Sequence, residues 1–166
     1  ACVTGWKRSN DFPVTTGSYQ VTKKDLYAAT FVSKLNATGT ALVYSTYLGS
    51  GGADAGYDIA VNNAGEVHVV GVTSASDFPV TPGAFQINKK GDVDAYVTKL
   101  NATGTALIYS TYIGGTDTGG VTPDFITARI AINNDDEVYI ISSTSAFDYP
   151  VTSGAFQKSN GDYTGI

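Results

Sequence analysis

The 166-residue chain has no methionine, one cysteine, one histidine and one tryptophan. Each scarcity excludes something. The single cysteine, Cys2, cannot form a disulfide within the chain. It is a free thiol, an intermolecular bridge or, in the plainest reading, a small apolar residue beside Val3. The single histidine, His68, has no cysteine near it, and the chain has no G-x-S-x-G sequence, so no nucleophile–base pair is offered. Charged residues make up only 15% of the chain, and 15 acids against 10 bases give a net charge of −5. Nucleic acids and anionic membrane surfaces select basic patches, so neither is an expected partner. No apolar run approaches the roughly 18 residues of a membrane span, and no signal peptide is visible. The chain opens abruptly on strand-like ACVTG without a Met, which leads to the expectation of further residues upstream.

What is present points to a folded β protein. Hydrophobic residues make up 42%, with 19 Gly, 11 Tyr, and Thr and Val in short runs. The length suffices for one domain with a sizeable core.

One ten-residue phrase occurs three times. It reads DFPVTTGSYQ at 11–20, DFPVTPGAFQ at 77–86 and DYPVTSGAFQ at 148–157, with starts 66 and 71 residues apart. A recurrence at this spacing marks a repeat architecture. Strand signals lie between the phrases. In the first copy they are 29–35 (ATFVSKL), 41–48 (ALVYSTYL), 57–61 (YDIAV) and 66–71 (EVHVVG); in the second, 95–100, 106–113, 125–132 and 137–142. NATGT at 36–40 and 101–105 is a short Asn/Gly turn fit for a hairpin, as are 62–65 and 133–136. None of these runs shows a helical apolar stripe. A Gly-rich loop separates the second strand from the third, at 49–56 and, with an insertion, at 114–124.

The expected organisation follows. Residues 1–10 are the last strand of a preceding unit, 11–76 a connector plus a first full unit, 77–147 a connector plus a second, and 148–166 a connector and the start of another. Four antiparallel strands per repeat is the pattern of a β-propeller blade. The phrase would then carry the chain from the rim of one blade to the hub of the next. Phe12, Phe78 and Tyr149 are expected to pack between blades, and Tyr19, Phe85 and Phe156 to seat the connector on the adjoining sheet. A pair of aromatics buried at such a junction contributes roughly 3–6 kcal/mol.

DFPVTPGAFQ, DAYVTKLNATGTALIYSTYIGG and IAVNNAGEVHVVGVTS together resemble the bacterial and archaeal SBBP-type β-propeller repeat over essentially the whole chain. The resemblance implies seven-bladed propellers in large exported, surface-associated proteins, and it brings no catalytic motif. The chain departs from the pattern at the inserted Val121-Thr122-Pro123 and at Ser142, where the other copies have Gly5 and Gly71.

Two full blades do not close a ring. The expectations are a segment of a longer propeller, several copies closing a ring, or copies joined head to tail in a filament. The chain is therefore read as a non-enzymatic structural or adhesive module, extracellular or at the cell surface, that acts through blade-to-blade or subunit-to-subunit packing. The alternative is a module that presents loops to glycans or Ca²⁺.

No catalytic, cofactor or metal residue is assigned. Asp54, Asp58, Asp117 and Asp124 in the Gly-rich loops, Asp92 and Asp94, and the loosely matching Asp25 are oxygen ligands of the type Ca²⁺ takes. They lack EF-hand spacing, and solvated loop acids or Asx turns are the plainer reading. His68 aligns with Tyr139 in the next copy, which favours packing over catalysis. Asn36 and Asn101 head N-x-T sequons and are also simply good turn residues. Tyr44, Tyr47, Tyr109 and Tyr112 invite a sugar-stacking reading, although residues three apart face opposite sides of a strand.

Overall fold

A computed structural model describes residues 1–24, 26–116, 128–144 and 146–159. They form nine strands and no helix: β1 (Cys2–Lys7), β2 (Ala29–Leu35), β3 (Leu42–Leu48), β4 (Asp54–Val61), β5 (Val67–Thr73), β6 (Asp94–Leu100), β7 (Leu107–Ile113), β8 (Ala128–Ile132) and β9 (Val138–Ser142). All pairings are antiparallel. The fold is all-β. Among the described residues there is no helix long and apolar enough to cross a membrane.

The strands group into a three-stranded sheet β1-β2-β3, a four-stranded sheet β4-β5-β6-β7 and a two-stranded sheet β8-β9. This corrects the expected partition. The strands of residues 29–35 and 42–48 do not share a sheet with 54–61 and 67–73. The unit is shifted by half a period, and one four-stranded sheet is present among the described residues. The repeated phrase therefore lies inside a sheet. It links β5 to β6, which pair directly from Val67↔Leu100 to Thr73↔Asp94. The crossing from sheet to sheet is made by the Gly-rich loop between β3 and β4.

The hairpins form where the turns predict them. The Asn36 carboxamide oxygen accepts from the Thr40 N–H at 2.9 Å and the Asn101 oxygen from the Thr105 N–H at the same distance. Gly39 and Gly104 take the left-handed backbone, at φ 70° and 68°, that closes each turn. Matching hydroxyl pairs cross each hairpin: Ser33 to Ser45 at 2.8 Å and Thr98 to Ser110 at 2.7 Å.

The long β5–β6 connection has a physical reason. It detours around the outside of β7. The Thr81 N–H donates to the Ser110 carbonyl at 3.0 Å, the Ser110 N–H to the Thr81 hydroxyl at 3.1 Å, and the Tyr112 N–H to the Gln86 carbonyl at 3.1 Å. In the first sheet, Thr15 and Gln20 make the same bonds to Ser45 and Tyr47 of β3. The phrase thus covers the backbone groups of the outermost strand, which would otherwise be an open sheet edge.

The sheets stack face to face. β1 lies against β4, and β4 against β8. Between the first two sheets, Val32, Tyr44 and Leu48 pack with Val67, Val69, Phe78, Tyr96, Leu100 and Tyr112. Between the second and third, Val70 and Val97 pack with Ala128, flanked by Ile130, Val138 and Ile140. The middle sheet is covered on both faces. This explains why β5 reads VHVVGVT, nearly continuous in apolar residues, and why every residue of β5 and β6 is buried.

Candidate functional site

The places where this chain concentrates chemistry are the seams between sheets. The first is aromatic. Phe78 of the phrase stacks on Tyr96 at 4.2 Å between ring centroids, and the Tyr112 hydroxyl accepts the Phe78 N–H at 3.1 Å while donating to the Ala75 carbonyl at 2.9 Å. Phe78, Tyr96 and Tyr112 are 3%, 0% and 0% exposed, so Phe78 packs between sheets as the sequence predicts. Phe12 meets Phe31 and Tyr47 in the same pattern on the outer side of the first sheet. Tyr19 packs against the core. Phe85 and Phe156 differ from expectation: both are exposed.

The two ends of the phrase fasten the Gly-rich loops. The Gln20 carboxamide oxygen accepts from the Gly49 N–H at 3.1 Å, and the Asp77 carboxylate from the Gly51 N–H at 3.0 Å. One copy's Gln and the next copy's Asp thus hold one loop. The same arrangement recurs at the next loop, where Gln86 accepts from Gly114 at 3.1 Å and Asp148 binds the N–H and hydroxyl of Thr116. These bonds hold the Asp148 carboxyl below the usual carboxylate range.

A cluster of ionisable groups bridges the second and third sheets. His68 on β5 is 1% exposed. Its Nε2 lies 3.0 Å from Oδ1 of Asp136, in the β8–β9 turn, and its Nδ1 lies 3.2 Å from the Tyr109 hydroxyl. The Lys99 ammonium donates to Oδ2 of Asp136 and pairs with Glu66 at 2.6 Å. Asn62 donates to both Asp136, at 2.9 Å, and Glu66, at 2.8 Å. Bonds from Lys99, Asn62 and His68 outweigh desolvation and hold the Asp136 carboxyl down to about 2. Burial pushes the His68 imidazole below its ordinary value despite Asp136 beside it, so the ring is neutral near pH 7. Burial also works against charge on Lys99, but its bonds to Asp136 and Glu66 prevail and raise its pKa. The arrangement is a clasp between sheets, with His68 buried inside it, whereas its counterpart Tyr139 is exposed.

The loop acids bind the protein's own N–H groups. Asp54, buried, accepts from the Ser50 N–H at 2.7 Å and its hydroxyl at 2.8 Å. Asp94, also buried, accepts from Gln86, Lys90 and Gly91. Asp58 accepts from Ile130 across the second seam at 3.0 Å. Asp92 is exposed. Asp25, Asp117 and Asp124 lie outside the described residues. Tyr44 and Tyr47 are each 2% exposed and Tyr112 is 0%, which removes the faces a sugar ring would need. Cys2 is a free, partly buried thiol packed against the first core, whereas Val3 is exposed. Asn36 and Asn101 both serve as turn acceptors.

Sequence reasoning missed Asp136. It stands where the first copy has Gly65, and its side chain reaches residues far away in sequence. The signal that was present is the contrast between NNAGE at 62–66 and NNDDE at 133–137.

One apolar surface is exposed among the described residues. On β9, Tyr139 and Ile141 are 57% and 78% exposed, whereas their counterparts on β5, His68 and Val70, are 1% and 0% exposed beneath the third sheet. A scan of the chain against protein-family models found no match, and a search of curated proteins found no relative.

Proposed function

We propose that the chain is a structural or adhesive β-propeller repeat module of an exported, surface-associated protein, and that it works by sheet-to-sheet packing within a larger particle. The observation that carries the reading is the contrast between Tyr139 and Ile141 in the open and His68 and Val70 under cover. The same position in the repeat is a buried seam wherever another sheet follows it. An exposed apolar face flanked by polar turns is the mark of an interaction surface. The resemblance to SBBP-type repeats supports the propeller and the extracellular setting. The apolar packing between the sheets agrees with such a role.

The test is particle mass. Sedimentation and negative-stain images of the native protein should give a ring, a fibre or a longer repeat array. Ile141→Lys, on the uncovered face, should reduce association at least tenfold while leaving the thermal transition of the chain unchanged. A protein that stays monomeric at all concentrations, and whose melting is unaffected by appending a further repeat, would overturn the reading.

A further inference from the structure

The two seams use the same positions with different chemistry. The rung Cys2–Lys34–Tyr44 crosses the first sheet, and the rung His68–Lys99–Tyr109 crosses the second. Each faces the β4–β5-type turn of the next sheet: Gly65 for the first rung, Asp136 for the second, both in the left-handed region at φ 80° and 66°. At the first seam, Lys34 reaches over the turn and donates to the carbonyls of Gly65 at 3.2 Å and Ala102 at 3.4 Å. The Cys2 thiol packs against the apolar cluster, and the Tyr44 hydroxyl has no partner among the described residues. At the second seam, the lysine, the histidine and an asparagine converge on the Asp136 carboxylate.

We infer that the residue on the rung (2 or 68) and the residue in the facing turn (65 or 136) are a matched pair that selects which sheet packs on which. This rests on the reading that the chain acts through sheet packing, and it names the partner the second sheet accepts: a sheet whose turn carries an acid in the left-handed position. A glycine turn on the His68 rung leaves Lys99, 8% exposed, without its Asp136 carboxylate, and His68 Nε2 without an acceptor. Lys99 then keeps only Glu66, at 2.6 Å, and the buried imidazole loses the bond to its Nε2, a loss that desolvation makes costly. The rejection runs one way. A β-carbon at Gly65 would lie 3.1 Å from the flexible end of Lys34, so an acid placed there meets an ammonium that can move to pair with it. Specificity therefore resides in the second seam, as a penalty against the wrong neighbour. A copy of the second sheet, with its Gly65 turn, is a poor substitute for the third.

The test is a cycle in the full chain, read by hydrogen exchange of the Val138–Ser142 amides and by urea unfolding. Asp136→Gly and Asp136→Asn should each lower protection of β9 at least tenfold. His68→Cys combined with Asp136→Gly rebuilds the chemistry of the first seam, and should lose at least fivefold less than the product of the single losses. Gly65→Asp should change protection of the Asp54–Val61 amides by less than threefold. If Asp136→Gly frees β9 completely, recovery in the double variant still supports the pairing, and no recovery overturns it. Additive losses overturn it too. Such a failure would leave association, measured by particle mass, standing.

Discussion

The Tyr96 hydroxyl meets the Thr30 hydroxyl at 2.7 Å across the first seam, with both residues 0% exposed. The bond joins strands of different sheets, where each hydroxyl lacks water. Tyr96→Phe removes one partner and leaves Thr30 unsatisfied in the seam, which costs about 1–3 kcal/mol. Phe31, at the matching position of the first sheet, shows that the ring alone suits the strand. Equilibrium urea unfolding of Tyr96→Phe, alone and with Thr30→Val, checks this. The double variant should recover part of the loss.

Tyr47 and Tyr112 occupy the same place in successive sheets, yet their hydroxyls differ. Tyr112 accepts from Phe78 and donates to Ala75, whereas the Tyr47 hydroxyl is buried without a partner among the described residues. Tyr112→Phe should destabilise by about 1–2 kcal/mol, and Tyr47→Phe should be neutral within about 0.5 kcal/mol or slightly stabilising. Equal losses in the two melting curves would contradict the difference in bonding.

Gly71 sits beneath Tyr96. A methyl group there would lie 2.2 Å from the Ala55 carbonyl oxygen and 2.5 Å from the Tyr96 hydroxyl. Gly71→Ala should cost about 2–4 kcal/mol, because backbone and a packed ring must both move. Gly83, at φ 76° with open space around it, should cost only about 1–2 kcal/mol as alanine, the strain of the left-handed backbone. Chemical denaturation of the two variants separates overpacking from backbone strain.

Acid should loosen the second seam in two stages. His68 has a folded pKa below its ordinary 6.5, so folding opposes its protonation. Its stabilisation is complete above 6.5 and is lost as pH falls through that value towards the folded one. Asp136 contributes fully above 3.8, and its share is lost as pH falls from there to about 2. Asp54 runs the other way: burial raises its carboxyl pKa, so its folded state gains as pH falls. Urea midpoints between pH 7.5 and 2.5 should show the first stage disappear in His68→Gln and the second weaken in Asp136→Asn.

Much of this structure is legible in the sequence. The NATGT turns, the alternating strands beside them and the repeat of the phrase give the strand order and the all-β class directly. The grouping of strands into sheets is not legible in that way. A connection as long as 74–93 reads as a passage between sheets, because neighbouring antiparallel strands need only a short turn. Its length serves another purpose, covering β7, and no local pattern reports which edge a loop will follow. Phe85 looks as apolar as Tyr19, but Phe85 is exposed, whereas Tyr19 meets the second sheet, its N–H on the Gly104 carbonyl at 2.8 Å. The clasp at Asp136 depends on partners distant in sequence, so the substitution of an acid for Gly65 carries its meaning only once the seam is seen.

Gln20 and Asp77 belong to successive copies and close on the same loop, and Gln86 and Asp148 do so one period later. A stretch of one period that is duplicated or deleted, wherever its ends fall, therefore re-forms the fastenings it interrupts. Unequal recombination can lengthen or shorten such a gene in whole periods with no constraint on the phase of the break. The matched residues of each seam are then what evolution has left to vary when it fixes the order of the copies.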